Sequence, residues 1–125
     1  MEKWKSYKDI ALSSECEILE VLFNGRELFI KVRDDGKHKK IYFEDVYAYK
    51  YVVEIGTMIR WDQLDKAGRI EKGNWVFTVE NSDYVKEFDE QTCGARPIDD
   101  VVHYVIMDPD NVVEVLAVPK PVIEG

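Results

Sequence analysis

Two histidines, two cysteines and 25 carboxylates are the groups of this chain that could do chemistry. His103 stands in "VVHYVIM", and as a general base it would need a neighbouring carboxylate to orient it. The acids nearest in sequence, Asp99 and Asp100, fall at the entrance of that strand-like run. A half-buried histidine bonded to a backbone group is therefore the favoured reading. His38 lies in "GKHKK", a basic turn, and is expected to be solvated. Cys93 is expected at a helix C-terminus, where the dipole disfavours a thiolate nucleophile. Cys16 opens an apolar strand and reads as packing. Two thiols make no disulfide framework, and free thiols in a reducing cytoplasm are the expectation.

Metal binding needs clustered ligands, and the chain has no CxxC, HxxxH, HExxH or EF-hand loop. "DPDNVVE" has an acidic rhythm without the central glycine of a calcium loop, so a tight turn explains it better. The glycines are isolated and nothing cradles a phosphate. No cofactor and no metal are expected. Tyr47, Tyr49 and Tyr51 could stack bases on a sheet, but that role wants a basic surround. Lys37, Lys39 and Lys40 supply only one hairpin tip, so nucleic-acid binding is not expected.

The charge is uneven. Residues 1–72 carry 14 basic and 14 acidic side chains, whereas residues 73–125 carry 3 and 11 and so hold the whole net charge of −8. The stretch "VENSDYVKEFDEQTCGARPIDD", residues 79–100, sets nine acids or amides against Lys86 and Arg96. Such asymmetry disfavours anionic partners and favours a cationic one, with a solvated face as the bland alternative.

These groups must be positioned by a chain of 125 residues, most simply one domain, with 46% hydrophobic and 12% aromatic content. No apolar run reaches membrane-spanning length, and the opening "MEKWKSYKDIALSS" lacks the apolar segment of a signal peptide. Trp4, Tyr7 and Ile10 at three-residue spacing predict a short N-terminal helix or turn. In "CEILEVLFNGRELFIKV", Asn24-Gly25 predicts a two-residue hairpin loop, pairing Val21 with Leu28 and Leu19 with Ile30. Asp35-Gly36 predicts a second hairpin that sets Ile30 beside Ile41 and Leu28 beside Phe43. Both place Leu28, Ile30 and Val32 on one buried face, a three-stranded meander.

Glu44-Asp45 interrupts the third strand as a bulge or corner, and "VYAYKYVVE" resumes with its three tyrosines on one side. Residues 55–74 read as loop with one helical turn. "WVFTV" is a strand. A helix follows near 83–93, capped by Asn81 or Ser82 and closed by Gly94. "VVHYVIM" and "VVEVLAV" flank the turn "DPDN" as a final hairpin, which Pro119 and Pro121 stop. The sum is a single α+β domain over 1–125, mainly antiparallel sheet of about six strands, meander plus C-terminal hairpin, with one or two short helices.

"IYFEDVYAYKYVVE" together with "VENSDYVKEF" and "HYVIMDPDNVVEVLAVPKP" resembles small, largely uncharacterised bacterial proteins, some similar to immunity proteins of polymorphic toxin systems. The likeness covers residues 41–54 and 79–121 and is one of strands, helix and turns. It implies a non-enzymatic protein and carries over no catalytic residue.

Three functions follow. The first is a non-enzymatic binding protein, an immunity-type inhibitor whose acidic surface in residues 80–110 masks a cationic toxin such as a nuclease. Asp83, Glu87, Asp89, Glu90, Asp99 and Asp100 would be its rim charges, with Tyr84 and Trp75 as aromatic anchors. The second is a small ligand-binding or enzymatic sheet that uses His103. The third is a structural protein that pairs with a second copy through Ile18, Leu22 and Phe29.

Overall fold

The two most continuously apolar runs, "VVHYVIM" and "VVEVLAV", lie side by side in one sheet. The structure is a computed structural model that describes residues 1–53 and 58–125. Among the described residues the order is β1 (Lys3–Ser6), β2 (Cys16–Phe23), β3 (Leu28–Asp34), β4 (Lys37–Phe43), β5 (Asp45–Val53), α1 (Met58–Lys66), β6 (Val76–Glu80), α2 (Asp83–Gln91), β7 (Val102–Met107), β8 (Asn111–Val118) and β9 (Val122–Glu124). One antiparallel sheet has the order β1-β6-β7-β8-β5 and the other β2-β3-β4-β9. This is the α+β, mainly antiparallel class that the sequence predicts.

The inner faces of the two sheets share one core, in which Leu28, Ile30, Val32, Ile41 and Phe43 meet Val76, Tyr104, Ile106, Val113 and Val115. The outer face of the five-stranded sheet packs a second cluster, with Val105, Met107 and Val112 joined by Trp4, Phe77 and Leu64 of α1. Strands β7 and β8 are therefore covered on both sides, which is why "HYVIM" and "VVEVLA" are buried residue after residue. Strand β3 alternates buried and accessible positions because its sheet keeps one face in water.

The Asp35-Gly36 hairpin forms as predicted. Both residues take positive φ, 51° and 77°, and Ile30 pairs with Ile41 and Leu28 with Phe43. The Asn24-Gly25 hairpin does not close on two residues: Phe23 pairs with Leu28 across a four-residue loop. Asn24 Oδ1 accepts from the Arg26 and Glu27 amides, which ends the ladder early. A bulge between Ile18 and Glu20 then resets the parity of β2, so that Ile18 turns inward and Leu19 stays exposed.

Glu44 is a corner where the chain leaves one sheet for the other. A second bulge between Val46 and Ala48 separates the tyrosines expected on one side: Tyr47 meets Phe88 of α2, while Tyr49 meets Phe23. The end of the resumed strand at Glu54 and the first loop residues, 55–57, lie outside the described residues. Beyond them α1 is a full nine-residue helix, not one turn, and an Asp62–Lys66 ion pair at 2.9 Å spans its last turn.

The N-terminal segment is a strand, not a helix. Lys3 to Ser6 pair with Phe77 to Glu80, an edge that gives the backbone long-range partners. A period over so few residues cannot nucleate a helix against that pairing. Among the described residues the sheets hold nine strands against about six read from the sequence, because β4 and β5 are separate strands across the Glu44 corner and short β1 and β9 edge the sheets. The 108–111 turn forms as read, and Asp108 builds it: its Oδ1 accepts from the Asp110 and Asn111 amides, and its Oδ2 from the Ile18 amide at 2.6 Å.

Candidate functional site

The outer face of the five-stranded sheet gathers a cluster of buried ionisable groups. Alternation sends His103 of β7 and Glu114 of β8 to that face, and β5 sets Lys50 directly opposite Glu114. Helix α1 lays Arg60 over them, the start of α2 adds Ser82 and Tyr84, and Glu2 reaches in ahead of β1. His103 and Glu114 are 1% and 0% exposed, and Glu2 is 4% exposed.

The hydrogen bonds run as a chain. Ser82 caps α2 by accepting the Val85 amide at 3.1 Å, which leaves its own proton for His103 Nδ1 at 2.7 Å. His103 Nε2 then donates to Glu114 Oε1 at 2.8 Å. Arg60 Nη1 reaches both oxygens of Glu114 at 2.9 Å, and its Nε and Nη2 donate to Glu2 Oε1. The other Glu2 oxygen accepts the Asp83 amide at 2.9 Å, so one carboxylate and a serine tie down the first turn of α2. Lys50 Nζ stands 3.6 Å from Glu114 and 4.4 Å over the Tyr84 ring, which meets His103 edge-on.

Burial works to raise the Glu114 pKa, but the His103 hydrogen bond and the Arg60 and Lys50 charges outweigh it and hold the carboxyl at about 2. Burial likewise opposes the charge on Arg60, and the Glu114 and Glu2 carboxylates overcome it and raise its pKa. Tyr84 is pushed up to about 12, first by burial and then by Glu114 and Glu87.

A serine, a histidine and a carboxylate in hydrogen-bonded series are also the parts of an activated nucleophile. Here the serine oxygen is a helix cap on a residue 7% exposed, and Arg60 occupies both oxygens of the carboxylate. A nucleophile needs its hydroxyl open to an incoming carbonyl, so the series suits an anchor better than a reaction. His103 is not half-buried and backbone-bonded as expected: it is fully buried and bonded to two side chains. Its carboxylate is Glu114, not Asp99 or Asp100. A lone acid inside the apolar run "VVEVLAV" was the sequence signal for that partner; Arg60 and Glu2 gave none.

Of the residues read as partner-binding, Asp83, Glu87 and Glu90 are exposed on α2, Asp89 is half-buried there, and Asp99 and Asp100 are exposed on the loop after it. Among the described residues none of these six forms an ion pair, and Lys86, the one cation of α2, is bonded to Asn81. Tyr84 belongs to the buried network. Trp75 precedes β6 while α2 follows it, so five strand residues, roughly 16 Å, separate the two. Cys93 is exposed with φ 52° just past α2, and Cys16 is buried. The Cys16 thiol donates to the Met107 carbonyl at 3.2 Å, and burial, with Asp108 and Asp34 nearby, pushes its pKa to about 12.

Among the described residues no cluster of three potential metal ligands occurs, and no helix is long and apolar enough to cross a membrane. Comparison of the chain with protein-family models, with curated proteins and with solved structures finds no match.

Proposed function

We propose that the protein is a non-enzymatic binding protein that presents the acidic face of α2 and the loop after it to a cationic protein. An immunity-type inhibitor of a toxin in the cytoplasm is the form of this reading that the sequence favours. The observation that carries it is the set of six carboxylates, Asp83, Glu87, Asp89, Glu90, Asp99 and Asp100, without an ion pair among the described residues. Helix stability accounts for Asp83 in the first turn but not for Glu87 and Glu90, which approach the end of α2 where the macrodipole disfavours negative charge. The buried network beneath holds the start of the helix in place, so a partner meets charges already positioned. Nucleases offer the matching basic cleft, and such pairs associate fast and in a salt-sensitive way.

The test immobilises the protein beside a variant carrying Asp83→Lys, Glu87→Lys, Glu90→Lys and Asp99→Lys, and passes lysate of the source organism over both. A basic protein retained by the native chain, released by salt and absent from the variant supports the reading. Equal retention on both, or none on either, removes it.

A further inference from the structure

At the end of β6 away from α2, the protein has a second feature that the acidic surface does not use. A cavity of about 340 Å³ opens between α1, the loop before β6 and the sheet, lined by Trp61, Lys72, Gly73, Asn74, Trp75, Phe77 and Met107. That volume lies at the small end of the range for bound small molecules. Its walls are two indoles, a phenyl ring and a thioether, surfaces that favour a flat π-system.

The polar lining reduces to one group. Asn74 is spent: its Nδ2 donates to the Tyr7 and Ile10 carbonyls, and its Oδ1 accepts from the Leu12 and Trp75 amides. Lys72 is not spent. Its Nζ stands 5.0 Å over the Trp61 ring and bonds Asp65 at 2.6 Å, which uses one of three donors on an accessible side chain. No acid lines the cavity. Behind Trp61 and Phe77 lies Trp4, with ring centroids 5.8 and 5.5 Å away. Its Nε1 is the one buried side-chain polar atom among the described residues without a protein partner. The aromatic corner is thus where hydrogen bonding within the protein is left incomplete.

We infer that this cavity is a binding site for a small planar aromatic anion, its ring lying against Trp61 and Trp75 and its carboxylate on Lys72. The site stands apart from the acidic face, so it holds or fails independently of the protein partner proposed above.

The test uses 2-naphthoate with the ¹⁵N-labelled protein, whose three tryptophans give three indole N–H signals. Trp61→Phe and Trp75→Phe assign the signals. The expected result is a saturable shift of the Trp61 and Trp75 signals, with affinity about tenfold lower for Lys72→Glu and for the neutral 2-naphthalenemethanol. Lys66→Glu, on the exposed end of α1, should bind as the native protein does. Lys72 is accessible, and an unchanged backbone spectrum confirms that its variant is folded. No saturable shift, or equal binding of the acid to native protein and Lys72→Glu, or of acid and alcohol to the native protein, overturns the inference.

Discussion

Glu114→Gln isolates the charge at the centre of the buried network. Glutamine keeps the shape and still accepts from His103, but it loses the attraction of Arg60 and Lys50. The Glu114 carboxyl titrates at about 2 in the fold against an ordinary 4.5. A depressed folded pKa contributes stability that is whole above the unfolded value and disappears as pH falls through the folded one. The difference of between two and three pH units, at about 1.36 kcal/mol each, makes that contribution about 3 kcal/mol near neutrality. Urea unfolding of native and variant proteins measures it. At about pH 7 the variant midpoint should fall by roughly 1 to 3 M, the span set by ordinary urea slopes. At about pH 3 the free-energy gap should shrink to less than about half, while the other carboxylates cancel between the two proteins. A gap that is equal at both pH values would show that packing, not charge, is what the substitution disturbs. No gap at about pH 7 would refute the network as an anchor.

Ser82→Ala removes both the cap of α2 and the proton donor to His103, and should cost about 2 kcal/mol in the same assay. Cys93→Gly should stabilise by up to about 1 kcal/mol, because Cys93 holds φ 52° at a position where glycine is free of strain. Iodoacetamide on the native protein at mildly alkaline pH should add one carboxamidomethyl group, at Cys93, by mass spectrometry. Cys16 should react only after unfolding, since it is buried and its thiolate forms near pH 12.

Local signals were legible where nothing distant competed with them. Asp35-Gly36 fixed its own hairpin and, through it, the inward Leu28 and Ile30. Ser82 was readable as a cap, and "DPDN" as a turn. Asn24-Gly25 marked a turn but not its length, because the Asn24 side chain captured two amides that the two-residue loop leaves to the ladder. The bulge at Leu19 had no local signature; it answers to the need to bury both Ile18 and Val21 against the other sheet. Trp4, Tyr7 and Ile10 mimicked a helix because their partners lie some 70 residues away in β6 and its preceding loop. The acidic helix could be read as a feature of composition. Its anchor could not, since Arg60 stands 54 residues from Glu114 and 58 from Glu2, and only the assembled sheet brings them together.

The two sheets are dovetailed by the ends of the chain. The first strand borders the sheet whose other members come from residues 45–118, and the last borders the sheet otherwise made of residues 16–43. Neither half of the polypeptide owns a complete sheet. During synthesis the sheet of residues 16–43 lacks one edge until β9 emerges, while β1 stays unpaired until β6 emerges. Local opening of either half also strips an edge from the other, so the two halves cannot act as separate unfolding units. Loss of structure at one end is felt at the other, and the helix that carries the acidic face rides on the sheet that this closure completes.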